Sequence, residues 1–153
     1  MKTKKLIVEQ LDASLKQFKP LFYVSTPSKG WIRAIRDALG MTARQLSERL
    51  GVSQQSVARI EKDETSGSVT IKTMSKIADN LDCVFVYGFV PHTSLADTIN
   101  RQAKRLAIGR LSKASQTMSL ENQALSREEN QKIISEMIDE LVRTVPSDLW
   151  NKS

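Results

Sequence analysis

Gln54, Gln55, Ser56 and Arg59 stand close together in the segment Ser53 to Asp63 and have the most specific chemistry in the chain. The Gln side-chain amide pairs bidentately with adenine, and the Arg guanidinium with guanine, in the major groove of double-stranded DNA. Each such pair is worth about 1–3 kcal/mol of discrimination. Ser53 and the backbone amides beside it suit a phosphate oxygen, because the first N–H groups of a helix have no intrahelical partner. Thr42, Arg44 and Gln45 open the preceding segment, and Lys62 follows the glutamines. They are the groups expected to contact the DNA backbone.

Other chemistry has little raw material. There is one Cys, Cys83, and one His, His92, which leaves no basis for a zinc site or a Cys/His catalytic pair. The carboxylates near the C-terminus are spread around a polar helix face and form no acid/base pair. No catalytic residue, metal or cofactor is expected, and the chain is read as no enzyme. Cys83 is read as a small apolar filler and His92 as a loop residue.

The elements that position these groups follow from periodicity. Leu6, Ile7, Leu11, Leu15 and Phe18 recur at helical spacing over Thr3 to Lys19. A connector with two prolines, 20–28, leads to a helix with Trp31, Ile32, Ile35 and Leu39 on its apolar face. Ser28 is expected to cap it and Gly40 to end it. Thr42 caps the next helix, with Gln45 in the capping-box position, and Gly51 ends it. Ser53 caps a third, ending near Asp63, and residues 64–70 read as a polar loop. Thr70 opens a fourth through Leu81. Ala43, Leu46, Leu50, Val57 and Ile60 face inward, and Val52 fills the corner. Small, apolar and glycine positions so spaced predict a helix-turn-helix.

The period then changes. Residues 83–90, Cys-Val-Phe-Val-Tyr-Gly-Phe-Val, are β-branched and aromatic, and Pro91 closes them. This reads as the one strand of the chain. A lone strand needs a partner for its backbone groups, and a ribbon with a second copy supplies one. The alternative is an extended segment packed on its own helices. Ser94 begins a helical stretch that breaks near Gly109, residues 111–125 have moderate helical character, and a last helix runs from about Ser126 to Pro146. Trp31 and Trp150 are expected to anchor packing.

The chain has 153 residues, 40% hydrophobic and 26% charged, enough to fold without disulfides. No apolar run approaches a membrane span, and Glu9 and Asp12 interrupt the basic N-terminus too early for a signal peptide. A cytoplasmic location with no membrane partner is expected. The net charge of +6 favours polyanions. Lys29, Arg33, Arg36, Arg44, Arg49, Arg59 and Lys62 concentrate positive charge in one region. A second basic stretch, Arg101 to Lys113, reads as a solvated face, with contact to DNA phosphates or to an acidic patch on a partner as the alternative. From Glu121 onward the balance turns acidic, so two partners are expected.

The segment ARQLSERLGVSQQSVARIEKDE resembles the phage repressor and Cro helix-turn-helix proteins, the XRE type, over residues 28–82. The resemblance implies a repressor-like bundle and DNA binding. A longer resemblance covers nearly the whole chain. GWIRAIRDALG, TIKTMSKIADNLDCVFVYGFVP, the element at 116–121 and the terminal Asp148-Leu149-Trp150 are similar to the family called mobile mystery protein A. Its members sit beside a Fic-domain protein. Gln116 departs from the His of that family's pattern.

Thr117-Met118-Ser119-Leu120-Glu121-Asn122 resembles the inhibitory helix of Fic antitoxins, [S/T]-x-x-x-E-[G/N]. Fic enzymes transfer AMP from ATP to a hydroxyl. The resemblance implies that Glu121 ion-pairs with the arginine that should hold the γ-phosphate, a carboxylate standing in for a phosphate. Thr117 would share its helix face and Asn122 would sit near the same phosphate.

The expected protein is mostly α. A repressor-like helix-turn-helix bundle (28–82) follows an N-terminal helix and connector (1–27). One β-strand for dimerisation (83–91) and a helical extension (92–153) follow it. The expected function is a homodimeric, operator-binding regulator that represses its own operon and acts as the antitoxin of a Fic adenylyltransferase. Two alternatives stand beside it: a stand-alone XRE-type repressor, and a protein-interaction inhibitor that no longer binds DNA.

Overall fold

The computed structural model describes residues 3–120 and 126–152. Among these the helices are α1 (Lys4–Lys16), α2 (Trp31–Ala38), α3 (Ala43–Leu50), α4 (Gln54–Ser66), α5 (Ile71–Asn80), α6 (Leu95–Leu120) and α7 (Arg127–Thr144). The chain divides into two compact units. One spans Tyr23–Gly88; the other combines the chain up to Phe22 with the chain from Phe89 onward.

The first unit contains α2 to α5 around Ile32, Leu46, Leu50, Val57, Ile77 and Leu81. Ala43 and Ile60 pack against this core, as their spacing predicts. The caps of α3, α4 and α5 form where the short polar residues stand. Thr42 Oγ1 accepts from the Gln45 N–H at 3.1 Å while Gln45 Oε1 accepts from the Thr42 N–H at 2.8 Å, a complete capping box. Ser53 and Thr70 cap α4 and α5, each at 3.1 Å. Gly51 ends α3 in the left-handed region, φ 68°, where a side chain is penalised.

Three local expectations change. Val52 does not fill the corner: its N–H closes on Ser47 O at 3.0 Å, the residue is 37% exposed and it is not part of the core. Ser28 does not cap α2. Gly30 precedes that helix, and the Glu64 carboxylate accepts from the N–H groups of Trp31 and Ile32 at 2.6 and 2.9 Å. Finally, α4 runs on through Ser66 rather than ending near Asp63. Glu64 is held by that tertiary contact. Thr65 and Ser66 bond back to the carbonyls of Lys62 and Asp63, and Gly67 at φ 81° stops the helix.

In the second unit α1, α6 and α7 pack together around Ile99, Ala103, Ala107, Leu141 and Leu149. The fully buried Ala103 and Ala107 lie one turn apart, so α6 can approach its neighbours closely. A distant carboxylate again caps a helix: Asp12 of α1 accepts from the N–H groups of Leu95 and Ala96 at 2.7 and 3.1 Å. Ser126 and Glu129 form a capping box for α7.

α6 is continuous through Gly109 and does not break there. A single glycine weakens a helix by roughly 0.5–1 kcal/mol, too little on its own to end one anchored by the buried Ile99, Ala103 and Ala107. α1 stops at Lys16, and Lys19–Tyr23 forms a 3₁₀ turn. Trp31 and Trp150 are 41% and 52% exposed and belong to neither core; the fully buried Leu149 does, with its carbonyl accepting from Gln102 Nε2 at 2.8 Å.

The expected strand is absent. Among the described residues there is no β-ladder, and 83–90 is an extended segment. The residues have the composition of a strand, but among the described residues no second segment offers its backbone to them.

Candidate nucleic-acid interface

α3 and α4 present two contrasting sides. Leu46, Leu50, Val57 and Ile60 face the core. Gln54, Gln55, Ala58, Arg59 and Lys62 lie exposed on the outer side of α4. Gln55, Arg59 and Lys62 are spaced i, i+4, i+7, so they form one stripe along the helix. Among the described residues no hydrogen bond or ion pair engages the side chains of Gln54, Gln55, Arg59 or Lys62. Ala58, small and exposed, allows close approach between them.

The remaining predicted site residues are tied to local structure. Thr42 and Gln45 are committed to the capping box. Ser53 Oγ accepts from the Ser56 N–H and lies 2.9 Å from Ser56 Oγ, so both hydroxyls are turned to the start of α4. Arg44 Nε donates to Glu48 at 3.1 Å on the open surface, where an ion pair is worth little and a phosphate competes readily. Thr117 lies exposed on α6 and bonds back to the Lys113 carbonyl at 3.3 Å. Glu121 and Asn122 lie outside the described residues.

Two carboxylates of α4 hold this surface in place. Glu61 makes a bidentate pair with Arg36 of α2, Nε to Oε1 at 2.7 Å and Nη2 to Oε2 at 3.2 Å. Both residues are buried, 8% and 9% exposed, and Arg36 Nη1 also donates to the Met41 carbonyl at 3.0 Å. The hydrogen bond to Glu61 raises the Arg36 pKa above its ordinary value, against the lowering effect of burial. Glu64, three residues on, caps α2. A Cβ on Gly30 would come within 2.8 Å of that carboxylate, and Gly30 itself has φ 84°, so glycine is required there. Residue spacing singles out the core of this motif but not these contacts. Arg36, counted with the basic cluster, is a buried structural cation and is not available to a phosphate.

The structure also brings together residues that the motif alone leaves apart. Lys29 and Arg33 line a shallow groove with Ala58 and Lys62, beside the stripe on α4. The concentration of basic residues over 29–62 is the sequence signal for this rim. The basic residues of 101–113 are exposed on α6, with Arg110 paired to Asp148 at 3.0 Å.

Among the described residues no three metal-ligating side chains cluster, and no helix is long and apolar enough to cross a membrane. No curated protein and no solved structure gives a significant match to the chain. Residues 32–85 match the family model described as helix-turn-helix. That span contains all of α2 but Trp31 and the whole of α3, α4 and α5. The chain therefore carries a helix-turn-helix domain of the XRE type, the module of DNA-binding transcription regulators.

Proposed function

We propose that this chain is a sequence-specific transcriptional regulator that binds its own operator as a homodimer. α4 lies in the major groove; Gln54, Gln55 and Arg59 read base edges. Thr42, Arg44, Gln45, Ser53, Ser56 and Lys62 face phosphates. The observation that carries this is the stripe of unengaged donors on α4, opposite a side locked into the core. Dimerisation follows from the need to read two half-sites about one helical turn apart. The test is binding of the full chain to its own promoter fragment across a salt series. Affinity should fall steeply as salt rises, and at every salt the promoter should be preferred over random DNA of equal length. Equal affinity for both would refute sequence reading; no binding to either would leave a protein-interaction inhibitor.

The second role rests on the pattern Thr117 to Asn122 and on the resemblance to Fic antitoxins. In this reading Glu121 fills the γ-phosphate site of a Fic adenylyltransferase and so blocks productive ATP binding, while Thr117 and Asn122 flank it. The helical course of α6 through Leu120 supports it by placing Thr117 on an exposed helix. Co-expression with a Fic protein encoded beside the gene should yield an inactive complex, and Glu121→Ala should restore AMP transfer. Full inhibition by that variant would rule the role out and leave a stand-alone repressor.

A further inference from the structure

The segment 84–90 has the composition of a strand and, among the described residues, no strand partner. Among the described residues no backbone hydrogen bond joins it to another segment. Val84 and Phe89 are 83% and 80% exposed. Extended backbone with unpaired donors and acceptors on both edges is a template for another strand.

The order of residues points to which strand. Read outward from Tyr87, the segment is nearly symmetric: Val86 and Gly88, Phe85 and Phe89, Val84 and Val90. We propose that it pairs antiparallel with the same segment of a second copy of this chain, in the register that sets Tyr87 opposite Tyr87. This deepens the homodimer of the reading above and does not depend on DNA.

Hydrogen bonding selects the phase of the ladder independently. In this register Cys83 stands opposite Pro91. Antiparallel pairs alternate between those that exchange hydrogen bonds and those whose N–H and C=O point away. Pro91 has no N–H to give. The Cys83 N–H is already donated to the Ala78 carbonyl at 2.8 Å. Both residues thus suit a non-bonded pair. Alternation then makes 84 with 90 and 86 with 88 the bonded pairs, and Tyr87 with Tyr87 a close, non-bonded pair.

Side chains agree with that phase. Phe85, Tyr87 and Phe89 fall on one face of the ribbon and Val84, Val86 and Val90 on the other. The Phe85 and Tyr87 rings already stack in the single chain, centroids 6.0 Å apart. Phe85 meets Phe89 across the ribbon, a favourable aromatic pair. No charged residue lies between Asp82 and His92 to oppose the pairing.

Sedimentation of the full chain without DNA, over a dilution series, tests the pairing. The chain should sediment as a dimer. Val86→Pro removes an N–H that the ladder uses, and should raise the dimer Kd at least about tenfold with helical content unchanged. In a Cys83→Ser background, Tyr87→Cys should oxidise to a covalent dimer, because the two Cα atoms of a non-bonded pair lie within disulfide reach. Val84→Cys should not, since its equivalent lies at the far end of the ribbon. A monomer at all concentrations, or a dimer indifferent to Val86→Pro, would overturn the proposal. Equal cross-linking at 84 and 87 would overturn the register. If Val86→Pro fails to fold, the cysteine pair decides.

Discussion

Glu61→Ala is expected to destabilise the helix-turn-helix unit by about 3–5 kcal/mol, because it leaves the Arg36 guanidinium buried without its counter-charge. The geometry argues for a large effect. The pair is bidentate and both partners are less than a tenth exposed. Asp37, 3.2 Å from Arg36 Nη1, is more than half exposed and supplies only a weak substitute. Loss of the Glu64 cap should cost less, about 1 kcal/mol, since it removes a helix cap and leaves no buried charge unpaired. The paired replacement Arg36→Met with Glu61→Leu should be close to neutral, because removing both charges leaves nothing buried and unpaired. Denaturant unfolding of the full chain, followed by helical circular dichroism, measures all three. A cost below about 1 kcal/mol for Glu61→Ala would mean that the Met41 carbonyl and Asp37 suffice. The Arg36 pKa is raised, so its stabilising effect is present below the ordinary value and is lost only as pH rises through the shifted one. Within neutral and mildly alkaline solution the pair therefore holds constant.

These same contacts mark the limit of what spacing reveals. Thr42, Ser53, Thr70 and Ser126 cap the helices that follow them because a cap by a short polar residue is local: donor and acceptor lie within three residues. The inward positions Leu46, Leu50 and Val57 were legible for a similar reason, since a helical period places them on one face. The α2 N-terminus is different, and α6 in part: Ser94 caps it locally through the Asp97 N–H, but the amides of Trp31 and Ile32 and of Leu95 and Ala96 bond to Glu64 and Asp12, roughly 30 and 80 residues away in sequence. No local pattern announces such a partner, so Ser28 was the natural but wrong choice.

Two further misreadings share a cause. Gly109 and the polar run after Asp63 look like breaks when each residue is weighed by its own propensity. That preference is small beside the tertiary contacts of each helix, Ala103 and Ala107 in the core for α6 and Glu64 on the α2 amides for α4, so both continue. The segment 83–90 shows the converse. Its β propensity is strong, yet propensity without a partner forms no ladder. For the interface, the exposure of Gln54, Gln55 and Arg59 was legible, but Ser53, Ser56, Thr42 and Gln45 are engaged in caps. That distinction decides which substitutions report cleanly on DNA reading.

Gln55→Ala and Arg59→Ala are therefore the informative pair. Neither side chain supports the fold, so each should leave stability nearly unchanged while removing a base contact. Loss of one bidentate contact worth about 1–3 kcal/mol should narrow the preference for operator over random DNA by roughly 5- to 150-fold. Arg44→Ala should act differently. It removes a phosphate contact, so it should weaken binding to every sequence alike and reduce the salt slope by about one. Gln45→Ala or Ser53→Ala cannot separate the two kinds of contact, because each also opens a helix cap. Titration of labelled operator and random duplexes at several salt concentrations gives both quantities. If all three variants lost affinity equally on both duplexes, α4 would be binding DNA only through charge, and the placement of Gln55 and Arg59 against base edges would be wrong. If Gln55→Ala and Arg59→Ala narrow the preference while Arg44→Ala shifts only the slope, the stripe on α4 reads sequence and the start of α3 grips the backbone.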